Sequence, residues 1–78
     1  MVTAFVLINV DDKKFQKLVD DMKSLDGVEE IHVVAGEYDM VAVVRVESNE
    51  ALSRLLTDKI IHTEGVRHTK TLISLQSS

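Results

Sequence analysis

Two segments of this chain are apolar on both of their faces, and that restricts its fold more than any other feature. Residues 2–10, VTAFVLINV, and 40–47, MVAVVRVE, are dominated by β-branched and aliphatic side chains, which favour strands. In a strand, alternate residues point to opposite sides. Ala4, Val6, Ile8 and Val10 then share one face of the first segment, and Phe5 and Leu7 share the other. Met40, Ala42, Val44 and Val46 divide from Val41 and Val43 in the same way. Such strands belong in the middle of a sheet with cover on each side. Two further extended segments, about 28–35 and 66–76, carry Glu29, Glu30, His32, Arg67, His68 and Lys70. These suit sheet edges, where charge discourages unwanted strand addition.

Helices are expected between the strands. Phe15, Leu18, Val19, Met22 and Leu25 recur at three- and four-residue spacing, which predicts a helix from about Asp12 to Ser24. Asp11 or Asp12 caps it, and Asp26-Gly27 ends it. Ser48 reads as the cap of a second helix with Glu50 in its first turn. Its stripe is Ala51, Leu52, Leu55, Leu56 and Ile60, and Thr63-Glu64-Gly65 breaks it. The order is βαββαβ, with a weak internal repeat. DGVEEIHVV at 26–34 parallels EGVRHTKTL at 64–72, and AFVLINV at 4–10 resembles MVAVVRV at 40–46. Two βαβ halves predict an α+β, ferredoxin-like sandwich over residues 1–78 as a single domain. Right-handed crossovers put both helices on one face of a four-stranded antiparallel sheet, and by analogy with that fold the expected strand order is 4-1-3-2.

Two helices cover only one face of that sheet. The other would still present Phe5, Leu7, Val41 and Val43, and an apolar patch of that kind marks an interface. A chain of 78 residues without cysteine has a marginal core and no disulfide to support it. A partner subunit is the remaining support. Two sheets stacked face to face in a homodimer are therefore expected.

Several function classes are disfavoured. The net charge is −4 with acids and bases interspersed, and the aromatics are only Phe5, Phe15 and Tyr38. Neither a basic patch nor an RNP1-like motif is visible, so no direct nucleic-acid contact is expected. No cysteine nucleophile or Gly-x-Ser-x-Gly elbow exists, and no catalytic residue is assigned. His32 and His68 fall on opposite edges, about 14 Å apart at three strand spacings. No metal site is expected, and with no glycine-rich phosphate loop no cofactor is expected either. The opening MVTAFVLINV lacks a basic n-region and a cleavage site, and no apolar run approaches the ~20 residues of a membrane span. A cytoplasmic protein is expected, which the absence of cysteine fits.

The segment VVAGEYDMVAVV, residues 33–44, does more than turn a corner, for which two residues such as Asn-Gly suffice. Gly36 permits an unusual backbone and close approach. Asp39 can bond the backbone, and Tyr38 offers an amphipathic surface. Free N–H groups at such a turn can hold a carboxylate, while Glu37 and Asp39 can hold an ammonium. A zwitterion such as an amino acid suits both; a plain hairpin turn is the other reading. Gly-x-Tyr-Asp at 36–39 resembles the corresponding segment of the Lrp/AsnC (leucine-responsive/AsnC) regulators. EGVRHTKTLISL resembles their last strand, with Gly65, Val66, Thr69 and Thr71 on its pattern. The resemblance spans essentially the whole chain and corresponds to their effector domain, the RAM domain (regulation of amino acid metabolism).

The resemblance implies dimers that associate into octamers or decamers, with small-molecule effectors, commonly amino acids, held between dimers. Carried over, it implicates Gly36, Glu37, Tyr38 and Asp39, and more weakly His62, Thr63, Thr69 and Thr71. The chain resembles the stand-alone type, without a helix-turn-helix domain of its own. It would then modulate transcription through effector binding or by joining a full-length Lrp/AsnC regulator. The alternatives are an ACT-like regulatory domain, which pairs through strand edges or helices, and a small dimeric α/β-barrel enzyme, which needs a polar pocket among these strands.

Overall fold

The computed structural model describes residues 1–11 and 15–77. The elements are β1 (Val2–Val10), α1 (Phe15–Lys23), β2 (Val28–Val33), β3 (Met40–Val46), α2 (Asn49–Arg54) and β4 (Val66–Ile73). The sheet is antiparallel in the order β2-β3-β1-β4, which is the expected order read from its other edge. The two segments apolar on both faces are the central strands.

Register follows from which side chains must be dry. Ala4, Val6 and Ile8 of β1 stand opposite Val44, Ala42 and Met40 of β3. All six are 0% exposed. Leu18 and Met22 of α1 pack onto them together with Leu52, Leu55 and Ile60. A one-residue slip would turn this row to solvent and put Phe5 and Leu7 under the helices. Among the described residues no polar or charged side chain is buried, so burial of apolar area holds this interior together.

The ends of the elements have local causes. Ser48 caps α2, its Oγ accepting from the Ala51 N–H at 3.1 Å. Asp12 lies outside the described residues, as does the start expected for α1. β4 stops at Ile73 rather than near Gln76, and the Ser74 N–H just past its end still donates to the Thr3 carbonyl of β1 at 2.8 Å. β2 stops at Val33 because the Val34 N–H closes the turn onto the Asp39 carbonyl at 2.9 Å.

The second helix departs from expectation. α2 is only six residues long, and it runs into a π-helical turn, Leu55–Lys59, and a 3₁₀ turn, Ile60–His62. The cause lies in the stripe. A continuous α-helix would aim the residue four after Leu55 inward, and that residue is Lys59. The wider turn instead lets the Ile60 N–H donate to the Leu55 carbonyl. Leu55 and Ile60 are then both buried and Lys59 is exposed.

The opposite face of the sheet is left open in the single chain. Phe5 stands opposite both Val43 and Leu72, and Leu7 opposite both Val41 and Lys70. Phe5 is 38% and Leu72 47% exposed.

Gly27 joins α1 to β2 at φ +100, and a Cβ there would lie 2.9 Å from Val46 Cγ1 and 3.3 Å from Leu55 Cδ2. The Gly27→Ala variant is expected to lose about 1–3 kcal/mol of stability from backbone strain and crowding, read as a lower urea midpoint with an unchanged slope.

Candidate functional site

The turn at 34–39 and the loop before β4 meet at one end of the sheet because both are tied to the end of β1. Asp39 makes the first tie. Its backbone N–H donates to the Ile8 carbonyl at 2.9 Å, and its carboxylate accepts from the Val10 N–H at 2.8 Å. A short acid is suited to this, since it reaches main-chain donors a larger side chain would overshoot. The second tie is the Asp11 N–H, which donates to the Gly65 carbonyl at 2.8 Å. The register shift between β1 and β4 falls at Asn9/Val10, beside both ties.

The predicted residues are distributed around this end. Gly36 has φ +151 and is exposed, and a Cβ there would meet nothing within 4 Å. Glycine is needed there for backbone conformation, not for space. Glu37 is exposed, and Tyr38 and Asp39 are half-buried. Across β1, His62 is exposed and ends the 3₁₀ turn. Thr63 is engaged locally: its hydroxyl donates to the Lys59 carbonyl at 2.9 Å, and its carbonyl accepts from Val66. Thr69 and Thr71 stand opposite Ile8 and Val6, on the helix-bearing face and half-buried. Thr69 is in the row nearest the turn, and Thr71 lies about 7 Å further along the strand.

One ion-pair cluster also reaches this end. The Lys17 ammonium on α1 is 2.9 Å from Asp21 and 3.6 Å from Glu64, in the loop before β4. The hydrogen bond to Asp21, followed by the charges of Asp21 and Glu64, holds Lys17 above the usual lysine range. Among the described residues no group of three His, Asp or Glu side chains is placed to hold a metal.

Sequence reasoning missed a surface groove of 370 Å³ lined by Ser24, Leu25, Asp26, Arg54, Leu55, Asp58 and Lys59. A second groove of 320 Å³ continues from it, sharing Asp26, Arg54 and Leu55. Neither includes residues 36–39. The available signal was weak: Arg54 and Asp58 sit four residues apart, a spacing more often found on a solvated helix face.

Residues 3–78 match the Lrp/AsnC ligand binding domain. This chain belongs to the Lrp/AsnC family. It is similar to an uncharacterized HTH-type transcriptional regulator of Pyrococcus abyssi, 32% identical over 96% of this chain and 52% of that protein. It thus spans about half the length of such a regulator. Among solved structures it is similar to TTHA0845 of Thermus thermophilus, with TM-score 0.92 and 38% identity, covering 100% of this chain and 98% of that one. It is also similar to the feast or famine regulatory protein of M. tuberculosis complexed with L-methionine, with TM-score 0.83 and 35% identity, covering 99% of this chain and 52% of that one. Membership in a ligand-binding domain of transcription regulators points away from an enzyme and from an ACT-like domain.

In this Lrp/AsnC domain Asp39 holds the candidate turn in place through main-chain bonds. Replacing it with alanine orphans the Val10 N–H. Asp39→Ala is expected to lose about 1–3 kcal/mol of stability in chemical denaturation, and Asp39→Asn, which keeps an acceptor, distinctly less.

Proposed function

We propose that this chain is an amino-acid-sensing and oligomerisation module. It pairs through its open sheet face, assembles further into octamers or decamers, and modulates transcription through effector binding or by joining a full-length Lrp/AsnC regulator. The observation that carries this reading is the uncovered row of Phe5, Leu7, Val41, Val43 and Leu72 on the sheet of a Lrp/AsnC domain. A second copy would remove that row from water, with about 1.5–3 kcal/mol available for each large side chain fully covered.

Dimers meeting at the end of the sheet would build a cleft from the turn at 36–39, with Tyr38 as its wall and Glu37 as the charge available to an ammonium. The M. tuberculosis relative complexed with L-methionine supports a free amino acid as the class of ligand. An effector held between dimers favours one assembly only by its difference in affinity for the two states.

Calorimetry with the twenty amino acids, paired with sedimentation velocity, tests the reading. At least one amino acid is expected to bind and to change the distribution of assemblies. No binding and no change at millimolar ligand would overturn it. Tyr38→Ala should weaken that binding by about tenfold or more, the loss of one well-placed contact of about 1.4 kcal/mol, with an unchanged circular dichroism spectrum. Separately, Phe5→Lys is expected to yield a folded monomer at micromolar concentration by sedimentation equilibrium.

A further inference from the structure

We propose that the groove between the end of α1 and the widened turn after α2 is a second small-molecule site, one that takes a zwitterion with an ammonium and a carboxylate on an apolar body. All of its lining comes from one chain, and it lies away from the turn at 36–39. Gly27, which lines the extension of the groove, precedes β2, and the turn follows it. The six residues of β2 between them span about 20 Å.

The floor is apolar. Leu55 is 7% exposed and Leu25 is half-buried, and the extension continues past Val46 and Ala51. At 370 Å³ the main groove falls within the range of about 300–1,000 Å³ typical of small-molecule sites.

The walls supply charge of both signs. Asp26 and Asp58 balance Arg54 and Lys59, and among the described residues no ion pair engages any of the four. On α1, opposite charges four residues apart do close on each other, Lys17 to Asp21 at 2.9 Å. Arg54 and Asp58 have the same spacing but form no such pair. Arg54 precedes the π-helical turn and Asp58 lies in it, and bonding from i to i+5 offsets residues four apart. Asp58 accepts instead from the Thr57 hydroxyl at 3.3 Å.

Unpaired charges of both signs over an apolar floor select the guest. A simple anion would meet Asp26 and Asp58, and a simple cation would meet Arg54 and Lys59. A zwitterion answers both, while its apolar body covers the leucines. The carboxyl end of α1 adds negative potential beside Asp26, which favours the ammonium on that wall. The guanidinium of Arg54, on the facing wall, suits the carboxylate. Free amino acids and unblocked short peptides share this chemistry.

Amide chemical-shift mapping on the isotope-labelled chain tests the site, with leucine and the dipeptide Ala-Leu as probes at millimolar concentration. Saturable shifts are expected at 24–27 and 54–59, and the tighter probe identifies whether a free amino acid or a peptide is the better guest. N-acetyl-leucine, which lacks the ammonium, and leucinamide, which lacks the carboxylate, should each bind there more weakly than leucine. Asp26→Asn and Arg54→Gln, both at exposed positions, should each weaken the tighter probe about two- to fivefold, the loss of one exposed charged contact. Tyr38→Ala should leave the groove shifts intact, so that failure at the turn and failure in the groove are read separately. Shifts that spare the groove for both probes, or blocked forms that bind there as well as leucine, overturn the proposal.

Discussion

The side chains of β1 meet two different environments, and the rest of the fold is arranged around that inequality. The strand is bonded to β3 on one side and β4 on the other. Ala4, Val6 and Ile8 are sealed against the helices, while Phe5 and Leu7 face outward. A single chain of this size can satisfy only the first set. The chain gains one dry layer by folding and retains the tendency to gain another by association. The proposed oligomerisation follows from that unequal cover.

The same strand organises the candidate site. Its carboxyl end ties the β2–β3 turn through Asp39 and the β4 loop through Asp11. Segments far apart in the chain thereby share one end of the sheet. The Gly-x-Tyr-Asp motif takes on a different meaning as a result. Asp39, an obvious candidate for gripping an ammonium, directs its carboxylate to the Val10 N–H. Thr63, another candidate, directs its hydroxyl to a helix carbonyl. Both residues shape the site whether or not they touch a ligand. Tyr38 and Glu37 are the side chains left to recognise one under the proposed function.

The distorted second helix illustrates competition between local and tertiary demands. Regular α-helical bonding would bring Lys59 into the interior. The π turn exchanges that geometry for one in which Leu55 and Ile60 both contribute to the core. It also helps shape the wall of the groove formed with Ser24, Leu25 and Asp26.

Element order, the central place of β1 and β3, the edges, the strand order and the family motifs were all legible in the chain before any coordinates. Strand alternation and helix spacing are local periodicities, and they survive any tertiary arrangement that keeps the apolar face dry. Ser48 as a cap and Gly27 as a turn residue were legible for the same reason: each answers a need of its own neighbours. Where the second helix widens was settled only in three dimensions, because that depends on which side chains the sheet beneath can accept. Three dimensions were also needed to show that Asp39 reaches across 29 residues to Val10, and that Thr69 and Thr71 face the helices. Contacts between distant segments carry no periodic signature, and so the site's internal bonding emerges only from the fold.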